Sequence, residues 1–171
     1  MLKSKLPIYN LVAGILWNKE VHKLKALDRF QEKFNKIHLE SPTFTFQSTF
    51  YNQEMGNFLK KSFLFFNTKI KSEDLWQVKT ISNQIEAELS LNNQRQINLD
   101  PGALSNFHLI LLSTKPYAHR IPLKKGIWAE QCYLFEKNKV KTLPWTYPDY
   151  QSDLAKEFFL KARSLCMTSF N

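Results

Sequence analysis

Glycine is scarce in this chain, four residues in 171, so there are few positions where backbone can approach a ligand closely or turn left-handed without strain. Cysteine is scarcer still. Cys132 and Cys166 lie far apart and fit neither a zinc-ligand spacing nor a redox pair, which points to a reducing, cytoplasmic setting. No apolar stretch is long enough to span a bilayer. Lys3 and Lys5 precede the apolar run Leu11 to Trp17 as in a signal peptide, but that run is short and ends in Asn18-Lys19-Glu20 without a small-residue cleavage site. The P-loop pattern G-x-x-x-x-G-K-S/T and the dinucleotide pattern G-x-G-x-x-G are both missing, as are H-E-x-x-H, G-x-S-x-G and the kinase loops. The common catalytic frames are therefore excluded.

What the chain has is apolar mass and positive charge. Hydrophobic residues make up 43% and aromatics 14%, with 14 phenylalanines, enough for a sizeable core without disulfides or metal. The net charge of +9 is uneven. Residues 1–36 hold eight Lys or Arg against three acids, and residues 115–141 hold seven against two. Two such blocks could converge on a phosphate-bearing partner or be ordinary solvated faces.

Periodicity predicts a buried strand over Ile8 to Trp17, then an amphipathic helix capped by Asn18 with Val21, Leu24, Leu27, Phe30 and Phe34 as its stripe. Strands follow at Thr43 to Gln47 and Lys61 to Ile70, linked through Tyr51 to Asn57. Ser72 opens a second helix whose buried face is Leu75, Val78, Ile81, Ile85 and Leu89. At about 100° per residue, Lys79, Asn83 and Glu86 group beside that stripe, where they face a cleft or form a solvated flank. A short strand Gln96 to Leu99 breaks at Pro101-Gly102 before a longer one, Phe107 to Thr114. His119 to Leu123, Ile127 to Glu136 and Val140 to Leu143 read as meander strands, and Ser152 caps a terminal helix with Leu154, Phe158, Ala162 and Leu165 inside. The whole, residues 1–171, reads as a single α+β domain: a ferredoxin-like βαββαβ unit extended by a C-terminal antiparallel meander and a terminal helix.

The candidate site residues come from three places. Asn98 and Asp100 would sit on a strand-end turn, Asp100 serving as metal ligand, base or plain turn residue. Lys115, Tyr117, His119 and Arg120 combine a guanidinium that can grip an anion with an imidazole that titrates near neutrality. Glu130 shares a strand face with Trp128 and Cys132, where its pKa should rise unless Arg120 or Lys115 pairs with it. Asp100, His119 and Glu130 together offer oxygen and nitrogen ligands for magnesium or manganese. The segment Leu143 to Tyr150 has two prolines and three large aromatics with no helical or strand period, so it predicts a rigid loop, with Trp145, Tyr147 and Tyr150 as a pocket wall.

The stretches Asn98 to Gly102, Tyr117 to Arg120, Gly126 to Glu130 and Leu143 to Tyr150 resemble the recurring motifs of a prokaryotic family known as a domain of unknown function, number forty-four sixteen. The resemblance runs over nearly the whole chain. It implies a small bacterial cytoplasmic protein and supplies no activity. Some members carry a GTP-binding label, for which this chain offers no P-loop.

The leading expectation is a pocket for a small anionic, phosphate-bearing ligand. Arg120, Lys115 and Asn98 would bind it, His119 would carry a proton, and Asp100 with Glu130 would hold metal or orient the others. Whether turnover follows binding is left open. A second reading is an RNA-binding module that uses the two basic blocks and exposed phenylalanines, because Lys61 to Phe66 and Leu11 to Leu16 resemble the two central strands of RNA-recognition folds; Val12 stands in place of a stacking aromatic, and Phe63 and Phe65 read as core. A third is a protein-interaction subunit that docks through its aromatic loop.

Overall fold

The computed structural model describes residues 7–168; Lys3 and Lys5 lie outside them. The fold is α+β. One nine-stranded sheet is built from antiparallel pairs of β1 (Ile8–Trp17), β2 (Ile37–Glu40), β3 (Phe44–Thr45), β4 (Lys60–Lys71), β5 (Ile97–Leu104), β6 (His108–Ser113), β7 (Ile121–Pro122), β8 (Trp128–Glu136) and β9 (Lys139–Thr142). The order is β2-β4-β1-β5-β6-β8-β7, with β3 added to β4 and β9 to β8. Among the described residues four α-helices accompany it: α1 (Glu20–Phe34), α2 (Thr49–Met55), α3 (Leu75–Glu88) and α4 (Asp153–Thr168). None of them is long and apolar enough to cross a membrane.

Alternation along the strands sends side chains to two cores. Leu11, Ala13, Ile15 and Trp17 of β1, Leu64 and Phe66 of β4, and Ile97, Leu99 and Ala103 of β5 pack under α1 and α3. Val12, Phe63, Phe65, Leu109 and Leu111 face the other way, toward Tyr150 and the Ala155, Phe158, Phe159 and Ala162 stripe of α4. Ser152 caps α4 as expected, its hydroxyl accepting from the Ala155 N–H.

Several local expectations are corrected. Val21 and Leu24 are half exposed, and the inner face of α1 instead holds Lys23, Ala26, Leu27, Phe30 and Phe34. Lys23 is tolerated there because Glu40 lies 2.7 Å from its ammonium. Asn18 does not cap α1; its amide donates to the Met55 carbonyl at 2.6 Å and ties β1 to α2. Neither α2 nor β2 is foreseen by period, since both are short segments held by their neighbours rather than by an apolar stripe of their own. His119 does not begin a strand, and β7 is only two residues long.

The correction that matters most concerns β5. It does not break at Pro101-Gly102 but runs through it, with Pro101 opposite Ala13 and Asp100 opposite Gly14 of β1. The break is on the other edge. β6 pairs with β5 only at Gly102, Ala103 and Leu104, and from Leu112 onward it bonds to β8 alone. Proline has no N–H to offer a ladder, so the β5–β6 pairing stops at the residue beside it. The sheet is split between Asn98 to Pro101 and Leu112 to Ser113.

Candidate functional site

Two adjoining chambers occupy this split. The larger, about 310 Å³, lies on the α4 face and includes Lys61, Asp100, Ser113, Lys115, Tyr147 and Asp149 in its wall. The smaller, about 150 Å³, opens toward α3 and is lined by Lys79, Asn83, Glu86, Arg95, Asn98 and Lys115, among others. Asp100, Ser113, Lys115, Tyr147, Phe50 and Tyr51 border both. Asp100 is thus a mid-strand carboxylate at a junction, not a residue of a strand-end turn.

The floor of the larger chamber depends on Gly14. A Cβ there would lie 3.0 Å from Tyr150 Oη and 3.1 Å from Lys61 Cε, so glycine makes room for a buried lysine between two strands. Lys61 Nζ stands 2.7 Å from Asp149 Oδ2 and 3.7 Å from Asp100 Oδ2. The aromatic rings of Phe46 and Tyr150 lie 5.1 and 5.2 Å from the same ammonium. Burial works to raise the pKa of Asp100, but the cations Lys61 and Lys79 outweigh it and hold the carboxyl below its ordinary value. A third of its side chain is open to the cleft. It is an ionised acceptor facing solvent.

The smaller chamber is framed by α3. Lys79, buried, donates to the Leu99 carbonyl at 2.8 Å, and Glu86 accepts from the Leu99 N–H at 2.6 Å. Two side chains two helical turns apart thereby clasp the C=O and the N–H of one β5 residue, Leu99. Burial pushes the Glu86 carboxyl up despite Lys79 nearby. Arg95 reaches across, donating from Nε and Nη2 to Glu54 at 2.7 and 2.5 Å and from Nη1 to Asn98 Oδ1 at 2.8 Å. Lys79, Asn83 and Glu86 therefore face a cleft, the sharper of the two readings their spacing allowed.

On the far side, Glu130 is almost fully buried and accepts from Arg120 Nε at 2.8 Å. Arg120 also donates to Ser113 Oγ, the Lys115 carbonyl and Tyr147 Oη, at 2.7, 2.8 and 2.8 Å. His119 Nε2 is 2.8 Å from the same Glu130 oxygen, and its ring stacks on Trp145 with centroids 4.9 Å apart. The loop below is pinned as well. Thr146 Oγ1 donates to the Cys132 carbonyl at 2.7 Å, and Trp145 Nε1 to that of Gln131 at 2.8 Å.

A profile of the family described as Domain of unknown function (DUF4416) matches residues 7–165. The chain belongs to this family. No curated protein and no solved structure matches it.

Of the residues singled out in this DUF4416 chain, Asp100, Lys115, Arg120, Glu130, Tyr147 and Tyr150 meet in the larger chamber, and Asn98 joins the smaller. His119 and Trp145 line neither. Arg120 spends its donors internally, so it is a clamp on Glu130 and Tyr147 rather than an open anion grip. Tyr150 belongs to the core at 1% exposure, its ring stacked on Phe159. Asp100, His119 and Glu130 do not converge as a ligand set; among the described residues no three His, Cys, Asp or Glu are grouped to hold a metal. Phe63 and Phe65 are core, as expected, buried with Tyr150 and the α4 stripe.

Lys61, Lys79, Phe50 and Tyr51 were not singled out as site residues on chemical grounds. Lys79 carried a signal in its helical spacing with Glu86. Lys61 enters the sequence reading only as the first residue of the strand Lys61 to Phe66, with no site role.

Proposed function

We propose that this protein binds a small organic anion, a phosphate ester being the first choice, in the cleft where β5 and β6 part. The observation that carries the reading is Lys79. Lys79 as a residue is 6% exposed, and its ammonium, with three donors, makes one hydrogen bond among the described residues, to the Leu99 carbonyl. Lys115 reinforces it from the rim, where its ammonium lies 5.2 Å from the Phe50 ring centroid and has no carboxylate within ion-pair distance among the described residues. With Arg95, which is itself paired to Glu54, the wall of the smaller chamber holds three cations, against Glu86 and Asp100. An anionic head group seated there supplies the acceptors that the lysines lack. Asp100 then accepts from a hydroxyl or amine of the ligand, and it is the residue placed to act as a base where a reaction follows.

The topology is consistent with a ferredoxin-like unit as the scaffold. The order β2-β4-β1-β5, all antiparallel, with α1 and α3 on one face, supports reading residues 8–104 in that way, with β6 to β9 and α4 as the extension. An RNA-binding reading rests on the two basic blocks without Phe63 and Phe65, which are core, and a docking reading rests on Trp145 and Tyr147, whose polar tips are engaged in internal hydrogen bonds.

Calorimetric titration with inorganic phosphate, phenyl phosphate and benzoate tests the proposal. Binding of at least one of these, weakened about tenfold or more by Lys79→Met and by Lys115→Met, is expected for charge-assisted contacts. Circular dichroism checks that the variants keep their fold. No heat with any of the three probes sinks it.

A further inference from the structure

The larger chamber has an aromatic mouth. Phe50 is 55% exposed, Tyr117 51% and Tyr147 42%, and all three belong to its wall beside the half-buried Tyr51. They arrive from separate parts of the chain: α2, the loop after β6 and the proline-stiffened loop after β9. Each is held from behind. Tyr147 Oη accepts from Arg120, the Arg120 guanidinium lies 4.6 Å from the Tyr117 ring centroid, and Tyr51 packs edge-on to Phe50 at 5.2 Å. The short helix carrying Phe50 is fastened at both ends, by Ser48 accepting from the Tyr51 N–H and by Asn18 donating to the Met55 carbonyl. Rings exposed to water cost stability unless something covers them, and rings fixed in place around a concave opening are pre-organised to take a flat partner.

We propose that the ligand is an aryl-bearing organic anion: its charged head occupies the small cationic chamber and its flat ring lies in the larger one between Phe50 and the pair Tyr117 and Tyr147. This rests on the anion-binding reading above and adds to it the class of the body attached to the head. The dimensions agree. A chamber of about 150 Å³ takes one head group, and one of about 310 Å³ is at the small end of ligand pockets, which run from about 300 Å³ upward. Asp100 at the junction faces the linkage between the two parts. Stacking is sequence-blind and shape-selective, so the site should prefer aryl over alkyl esters of equal charge.

The experiment compares phenyl phosphate with methyl phosphate by calorimetry on the wild-type chain, on Phe50→Ala and on Tyr117→Ala. The wild type is expected to bind the phenyl ester about tenfold more tightly, the scale of a single stacking contact. Both variants should lose most of that preference, and Tyr117→Ala, whose ring lines only the larger chamber, should bind methyl phosphate as before. Equal affinity for the two esters in the wild type overturns the aryl inference and leaves the anion site standing. A preference that survives both substitutions also overturns it, because the ring would then sit elsewhere. Failure of both esters to bind overturns this inference, and the anion site falls with it when inorganic phosphate and benzoate are silent too.

Discussion

Arg120 commits four of its five N–H groups to Glu130, Ser113, the Lys115 carbonyl and Tyr147. The sequence shows an arginine beside a histidine; burial turns it from a ligand grip into the counter-charge of a carboxylate that has almost no solvent. Arg120→Ala strands Glu130 and is expected to cost about 3–5 kcal/mol, the range for an uncompensated buried charge, as measured by urea unfolding. A loss below about 1 kcal/mol would mean that His119 alone can hold the carboxylate. Two other carboxylates should respond to pH with opposite signs. Asp100 has a lowered pKa in the fold, so its contribution is present at neutral pH and is lost as pH falls through and below the ordinary carboxylate range. Glu86 has a raised pKa, so its contribution is greatest in acid and declines as pH rises through its folded value. At pH 7, Asp100→Asn should therefore lower the thermal midpoint, whereas Glu86→Gln should leave it level or raise it. The Asp100→Asn deficit should close in acid, and a deficit that is flat with pH contradicts the assignment.

At the scale of elements, the β5–β6 junction concentrates the constraints. Gly102 is one residue past the proline, and a Cβ there would sit 2.5 Å from the Ile110 carbonyl oxygen. That contact is with backbone, so the strand itself must move. Gly102→Ala is expected to destabilise by about 1–3 kcal/mol, as overpacking does, and to raise hydrogen exchange at the β5–β6 amides before the β1–β5 ones. Uniform exchange across both ladders would show that the split is not the weak seam. The period of α3 was legible because its apolar stripe is real, and the same period put Lys79 and Glu86 on one flank. In α1, Leu27, Phe30 and Phe34 face inward as expected, and Val21 and Leu24 give way to Lys23 and Ala26. Lys23 sits inward because Glu40 of an unforeseen strand neutralises it, and a partner seventeen residues away has no trace in local spacing. Pro101-Gly102 was recognised as a break, yet which of two strand edges it breaks depends on the neighbours β5 acquires.

For the whole molecule, the two cores share one continuous sheet, α1 and α3 on one face and α4 on the other. Calorimetry should accordingly show a single unfolding transition with matching calorimetric and van't Hoff enthalpies. Two resolved transitions would mean that the β6 to β9 half melts by itself at the split. The sequence alone determined the class and most of the elements, because apolar periodicity, prolines and caps act over a few residues and each leaves a local mark. It also named Asp100, Lys115, Arg120, Glu130 and Tyr147, which do share a chamber. Only the tertiary structure decided which of them are spent and which are open: Arg120 and Glu130 neutralise each other, Lys61 comes in from a third strand through the gap left by Gly14, and His119 is drawn onto Trp145. Pairing of buried charges is settled by distances of a few ångströms between residues far apart in the chain, and no local pattern encodes those distances.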